Sequence, residues 1–239
     1  IMHDAINSQS LDIVKDVYKL LKGEVDKSIL FYPPTYSDTN ILKIISAKLD
    51  LDAADEQGKT PLFYLVRNGA KKSTDAFSYL LGMDININHV DSDGNTVLMA
   101  LIKEIIELDK TRDKTRNEQE HVNNLLDMIP WLIEENIDYN LTNAEGENPL
   151  MYATDKQSST VVGKLLEFDV DPNVINEKGE TPLSFASMKG KSNIEMVSVL
   201  LDYGARPNMS DSNGKTIIEK LLDTELFLRN GKKLKMKYR

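Results

Sequence analysis

The sequence predicts an all-α solenoid of stacked helix pairs, each preceded by a β-turn finger. Two alternating signatures and their regular spacing predict it. The first, Asp/Asn-x-x-Gly-x-Thr/Asn-x-Leu/Ile, occurs five times: Asp55 to Leu62, Asp91 to Leu98, Asn143 to Leu150, Asn176 to Leu183 and Asp211 to Ile218. The second closes a helix and also aligns five times without gaps: Ile44 to Asp52, Leu80 to Asn88, Leu132 to Asn140, Leu165 to Asn173 and Leu200 to Asn208. The motif glycines stand 36, 52, 33 and 35 residues apart, so a 33-residue unit recurs with excesses of 3, 19, 0 and 2.

Taken in order, His3 to Leu21 reads as a helix pair, and residues 23–54 as an irregular link ending in a second helix and finger. Each finger begins with Asp or Asn and carries Gly three residues later, where a tight turn needs positive φ. Thr or Asn then caps the next helix through its side-chain oxygen, and Pro61, Pro149 and Pro182 occupy first helical positions that need no N–H donor. A short first helix follows, as in Thr60 to Gly69. Tyr64, Tyr152 and Phe185 recur at one position in it and read as packing between neighbouring repeats rather than ligand stacking.

These residues resemble the ankyrin-repeat family, whose T-P-L signature is matched by Thr60-Pro61-Leu62 and Thr181-Pro182-Leu183. The resemblance implies an N-terminal helical cap with a divergent repeat over 1–54 and ankyrin repeats over 55–228. The repeats fall at about 55–90, 91–142, 143–175, 176–210 and a capping half-repeat, 211–228. The family's motif His is replaced by Phe63, Met99, Met151, Ser184 and Glu219, so the inter-repeat bonds it supplies must be missing or substituted. Where the family prefers Gly at the helix C-cap only Gly204 conforms, with Lys48, Asp84, Asn136 and Asp169 in the other four places.

The 19 extra residues fall in the second repeat, near 107–120, and are almost wholly polar. Lengthened helices with charge pairs suit this composition, and so does a mobile loop; neither is expected to bury much. Pro130 is placed to kink the second helix of that repeat.

Composition excludes several chemistries. The 239 residues include no Cys, which removes disulfides, thiolate nucleophiles and Cys-based zinc sites. His3, His89 and His121 lie too far apart in sequence for a metal motif, and Gly58-Lys59 and Gly214-Lys215 lack the rest of a phosphate loop. No catalytic constellation and no cofactor site is expected. The longest uncharged stretch, Ser28 to Ser37, has ten residues and two prolines, against the ~20 apolar residues of a membrane span. The opening Ile1-Met2, with no apolar run behind it, reads as a segment of a longer protein. With 29 Lys+Arg against 38 Asp+Glu the net charge is −9, although the tail 229–239 holds six basic residues and no acidic one. A body this acidic disfavours nucleic acid as a partner. The tail reads as a solvated terminus, with nuclear import or lipid contact as the alternatives.

What is left is a surface. The resemblance implies a non-enzymatic adaptor or scaffold module of a larger intracellular protein, cytoplasmic or nuclear, that binds a protein or extended peptide on its concave face. A targeting or substrate-recruiting segment of a multidomain enzyme or bacterial effector is the alternative. The family's finger tips and first-helix faces correspond to Asp55, Glu56, Gln57, Lys59 and Arg67; Ser92, Asp93, Asn95 and Lys103; and Glu145, Glu147 and Asp155. They continue with Glu177, Lys178, Glu180 and Met188, then Ser212, Asn213 and Lys215. The central fingers are mainly acidic, which favours a basic partner segment. One stability test follows from the C-caps. A Lys in the left-handed region costs of order 1 kcal/mol, so Lys48→Gly is expected to raise the melting temperature, and a thermal melt without gain would remove Lys48 from that position.

Overall fold

The computed structural model describes residues 1–21, 25–32, 35, 38–47, 49–68, 74–110, 115–188, 194–210, 214, 216 and 219. It divides into two compact units, Ile1–Glu145 and Gly146–Arg239. Among the described residues, β structure is limited to two isolated antiparallel bridges, Val90 with Thr96 and Ser210 with Thr216, each at the base of a finger.

The first unit opens with the expected helix pair, α1 (Met2–Asn7) and α2 (Leu11–Leu20). A 3-10 turn over Lys27–Phe31 and α3 (Thr39–Ser46) follow. Met2, Ile6, Val14, Ile29, Leu30, Ile41 and Ile45 from these segments make one buried cluster. Next come α4 (Pro61–Asn68), α5 (Thr74–Leu81), α6 (Val97–Asp109) and α7 (Arg116–Glu134). First helix packs on first helix (α4 on α6), second on second (α3 on α5), and each repeat's two helices on one another (α4 with α5, α6 with α7). Phe77 of α5 stacks on Trp131 of α7 with ring centroids 5.9 Å apart. The second unit repeats the scheme with α8 (Pro149–Asp155), α9 (Ser159–Glu167), α10 (Pro182–Met188) and α11 (Ile194–Asp202). There α8 packs on α10 and α9 on α11.

The caps explain where these helices start. Thr96 Oγ1 accepts the Met99 N–H (3.3 Å), Asn148 Oδ1 the Met151 N–H (2.8 Å) and Thr181 Oγ1 the Ser184 N–H (3.2 Å). Thr216 and Glu219 bond one another reciprocally in the manner of a capping box. The rest of the C-terminal half-repeat and the basic tail lie outside the described residues.

The insertion takes the form of lengthened helices. With 13 and 19 residues, α6 and α7 exceed the 7 to 9 residues of α4, α5, α8 and α9. A capping box starts α7, Thr115 bonding the Glu118 N–H and Glu118 the Thr115 N–H, and the helix runs on through Pro130. The described residues of 107–120 bury little, as expected, and the core lies at their base, where Ile105, Ile106, His121 and Val122 are buried between the two packed helices. Residues 111–114 lie outside the described set.

Second helices end as predicted at three of the five C-cap positions. Asn136 and Asp169 take φ of 59° and Gly204 of 89°. Each closes a Schellman motif, with Ile137 N–H on Leu132 O (3.2 Å), Val170 N–H on Leu165 O (3.4 Å) and Ala205 N–H on Leu200 O (2.9 Å). Asp84 does not adopt positive φ, which corrects its assignment as a left-handed cap. There Gly82 N–H reaches Ser78 O (3.1 Å), and the turn closes through Ile85 N–H to Met83 O (2.9 Å), so no residue has to pass through the left-handed region. Lys48 lies outside the described residues. Replacing Asn136 or Asp169 by Gly is therefore expected to stabilise the chain by up to about 1 kcal/mol, whereas Asp84→Gly brings no gain. Denaturant titration of the three variants tests the distinction.

Candidate functional site

Among the described residues, three fingers are loops closed on one side-chain oxygen. Asp55 Oδ1 accepts the Gln57 and Lys59 N–H groups (2.9 and 2.8 Å), and Asp91 Oδ1 those of Asp93 and Asn95 (3.0 and 2.9 Å). In the second unit Asn176 Oδ1 accepts from Lys178 and Glu180 (3.0 and 2.9 Å). The turn glycines have the positive φ this geometry demands. At Gly58 (73°) a Cβ would also stand 2.8 Å from the Ser92 nitrogen, so the next finger approaches closely because this residue is Gly.

Fingers are then tied to their neighbours. In the first unit Ser92 N–H bonds Gln57 O and Ala144 N–H bonds Asp93 O, both at 2.9 Å. His89, too far from the other histidines to form a metal motif, is half-buried; its Nε2 lies 2.8 Å from Gly58 O and its ring packs edge-on against Phe63. In the second unit Asn176 Nδ2 donates to Gly146 O (2.8 Å). A further series of bonds uses the Asp or Asn that ends three of the second-helix signatures. Asp52 Oδ1 accepts the Asn86 N–H (2.8 Å), Asn88 Oδ1 the Asp138 N–H (2.7 Å) and Asn173 Oδ1 the Arg206 N–H (2.7 Å). These bonds tie successive repeats together away from the motif-His positions. Sequence reasoning quoted all three acceptors without assigning them a role, although their recurrence at one position was the available signal.

The predicted contact residues divide by exposure. Glu56, Gln57, Ser92, Asp93 and Glu145 are exposed on the fingers of the first unit, with Arg67 of α4 and Lys103 of α6 exposed on the first helices. Glu177 and Lys178 are exposed in the second unit. Asp55, Lys59, Asn95 and Glu180 are half-buried because they close the fingers: Asn95 Nδ2 donates to Asp91 Oδ1 (3.2 Å), and Glu180 Oε2 accepts from Asn176 Nδ2 (3.0 Å). Asp155 is half-buried and paired with Lys156 at 2.8 Å. Glu147 corrects the sequence reading: it is buried, at 7% exposure, and is no part of a finger tip surface. Ser212, Asn213, Lys215 and the side chain of Met188 lie outside the described residues.

The inner helices of the first unit carry a perturbed carboxylate that the sequence did not single out. Burial pushes the Glu104 carboxyl above the ordinary range; the Arg67 guanidinium draws it down, and Glu107 adds a like charge. Glu107 itself bonds Lys110 Nζ at 2.7 Å, which holds its own carboxyl low. The described residues contain no group of three or more His, Asp or Glu arranged to hold a metal ion, and no helix long and apolar enough to cross a membrane.

A family model described as ankyrin repeats (3 copies) matches residues 120–223. Over those residues the chain is built of ankyrin repeats. Ankyrin repeats are protein-interaction modules, and the family is in general non-catalytic. A curated relative, the putative ankyrin repeat protein L371 of Acanthamoeba polyphaga mimivirus, is 29% identical over 200 residues, 80% of this chain. The chain spans 23% of that relative's length. Among solved structures, a chain of the complex of the Bd0816 predatory endopeptidase from Bdellovibrio bacteriovorus with immunity protein Bd3460 is similar at a TM-score of 0.58. The match has 19% identity and covers 84% of this chain and 94% of that one, a likeness of fold alone.

The environment of Glu104 makes a pH-dependent prediction. A carboxyl raised above its unfolded value gives stability that is present below about pH 4.5 and lost as pH rises through the folded value. Glu104→Gln is thus expected to raise the melting temperature at pH 7 and to leave it unchanged near pH 3.5, a difference that paired calorimetric scans would show.

Proposed function

We propose that this chain is a non-enzymatic adaptor whose finger tips bind a basic segment of a partner protein. The observation that carries the reading is the row of tips in the first unit. Their backbones are fixed to one another by the Ser92–Gln57 and Ala144–Asp93 bonds, while Glu56, Asp93 and Glu145 stay exposed along them. A row held rigid before the partner arrives loses little conformational freedom on binding. Its carboxylates would steer a cationic segment and set its register. Exposed Glu177 on the finger of the second unit has the same character. Soluble partners in the cytoplasm or nucleus fit this reading.

A second reading is favoured by the length of the mimivirus relative, of which the match covers less than a quarter. In it the chain recruits a target for activity that resides elsewhere in a longer polypeptide. Both readings require the same surface.

Reversing the row tests it. The triple variant Glu56→Lys/Asp93→Lys/Glu145→Lys is expected to keep the wild-type melting temperature and to lose at least tenfold in affinity for a partner captured by crosslinking from a eukaryotic lysate. Affinity should also fall with added salt, since exposed charges are screened. Unchanged capture by the triple variant would place the interface elsewhere.

A further inference from the structure

The described fingers perform one structural task with two different chemistries. The residue that closes the loop is Asp55 in the first finger and Asn143 and Asn176 in the third and fourth. Nine positions on, in the first helix, stand Tyr64, Tyr152 and Phe185 respectively, while the second finger pairs Asp91 with Ala100 and the fifth Asp211 with Lys220. The first finger alone therefore combines a carboxylate with a phenol, and the structure joins them: Tyr64 Oη donates to Asp55 Oδ2, while Oδ1 holds the Gln57 and Lys59 amides. The Tyr64 ring is in turn packed against Phe31 of the N-terminal link, with centroids 5.6 Å apart.

We infer that the Asp55–Tyr64 pair is a pH-operated latch that holds the first finger on α4 and releases it when the carboxylate is protonated. A carboxylate can accept several charge-assisted bonds at once, and a neutral acid cannot hold all of them equally. The fourth finger, closed by the Asn176 amide, keeps its acceptor at any pH. The charged and titratable groups around the latch are Lys59 on the finger, Arg67 beside Tyr64 on α4, Lys27, whose Nζ reaches Ala54 O at 3.4 Å, and His89, on Gly58 O. Glu56 is the exposed neighbour at the tip.

Burial pushes the Asp55 carboxyl up, but the Tyr64 hydroxyl, the Lys59 and Gln57 amides and the Lys59 charge outweigh it and set the group below its ordinary value. A lowered carboxyl stabilises the finger above the unfolded value, and that contribution is lost as pH falls through the folded one. Burial and the bond to Asp55 push Tyr64 up to about 12, so its contribution is held below the ordinary tyrosine range and is lost on the alkaline side. Release would take the side-chain acceptor from the Gln57 and Lys59 amides and leave the tip held by backbone bonds alone, Ser92 N–H to Gln57 O among them, whatever the tip binds.

Amide exchange and 15N chemical shifts of the whole chain, followed from pH 7 to 2.5, test the latch. The Gln57 and Lys59 amides should lose protection with a midpoint below that of an ordinary aspartate, while the Lys178 amide stays protected. Asp55→Asn should abolish that midpoint, and Tyr64→Phe should raise it. Tyr64→Phe keeps the titrating group, so the midpoint stays readable if Asp55→Asn fails to fold. Loss of the Gln57, Lys59 and Lys178 amides together, or an Asp55→Asn midpoint equal to wild type, would overturn the inference, as would an unmoved midpoint in Tyr64→Phe.

Discussion

Everything in these repeats hangs on short polar side chains that take over backbone amides left without a helix or a sheet. A finger has no regular secondary structure to satisfy its N–H groups, and an unpaired buried amide costs about as much as a lost hydrogen bond. Asp55, Asp91 and Asn176 each collect two such amides. Asp52, Asn88 and Asn173 pass the same service to the following repeat. A longer side chain would overshoot, and an apolar one would leave the loop unsatisfied, so the Asp/Asn character of both signatures is a geometric requirement.

That requirement is why so much of the fold was legible. Turn chemistry, caps and the apolar spacing of the helices are local, and a sequence displays local demands directly. The helix pairs, the caps at Thr96, Asn148 and Thr181, and the left-handed Asn136, Asp169 and Gly204 follow from them. Legibility ends where the outcome depends on what lies opposite. Asp84 shares its alignment position with Asn136, yet its turn leaves the helix earlier. Glu147 looked like Glu145 two residues before it, but one is buried and the other exposed, a distinction set by packing. Glu104 gave no signal because its burial arises between two helices from different repeats.

The charges of the first unit also acquire meaning only in three dimensions. Net charge placed acid across the body of the chain, whereas the structure separates exposed carboxylates on the fingers from the cations Arg67 and Lys103 on the helices beneath. An isolated surface charge is worth little, typically under about 1 kcal/mol. Rows of like sign on a rigid frame act differently, since they set which partners can approach and in what orientation.

The long hairpin of α6 and α7 carries an engineering consequence. A 13-residue helix at ~1.5 Å per residue puts the far end of α6 roughly 20 Å from the finger that precedes it. The buried Ile105, Ile106, His121 and Val122 seal the hairpin below its tip. A fluorophore, affinity tag or whole guest domain spliced at that tip would ride on the scaffold without disturbing the register of the loops at the opposite end.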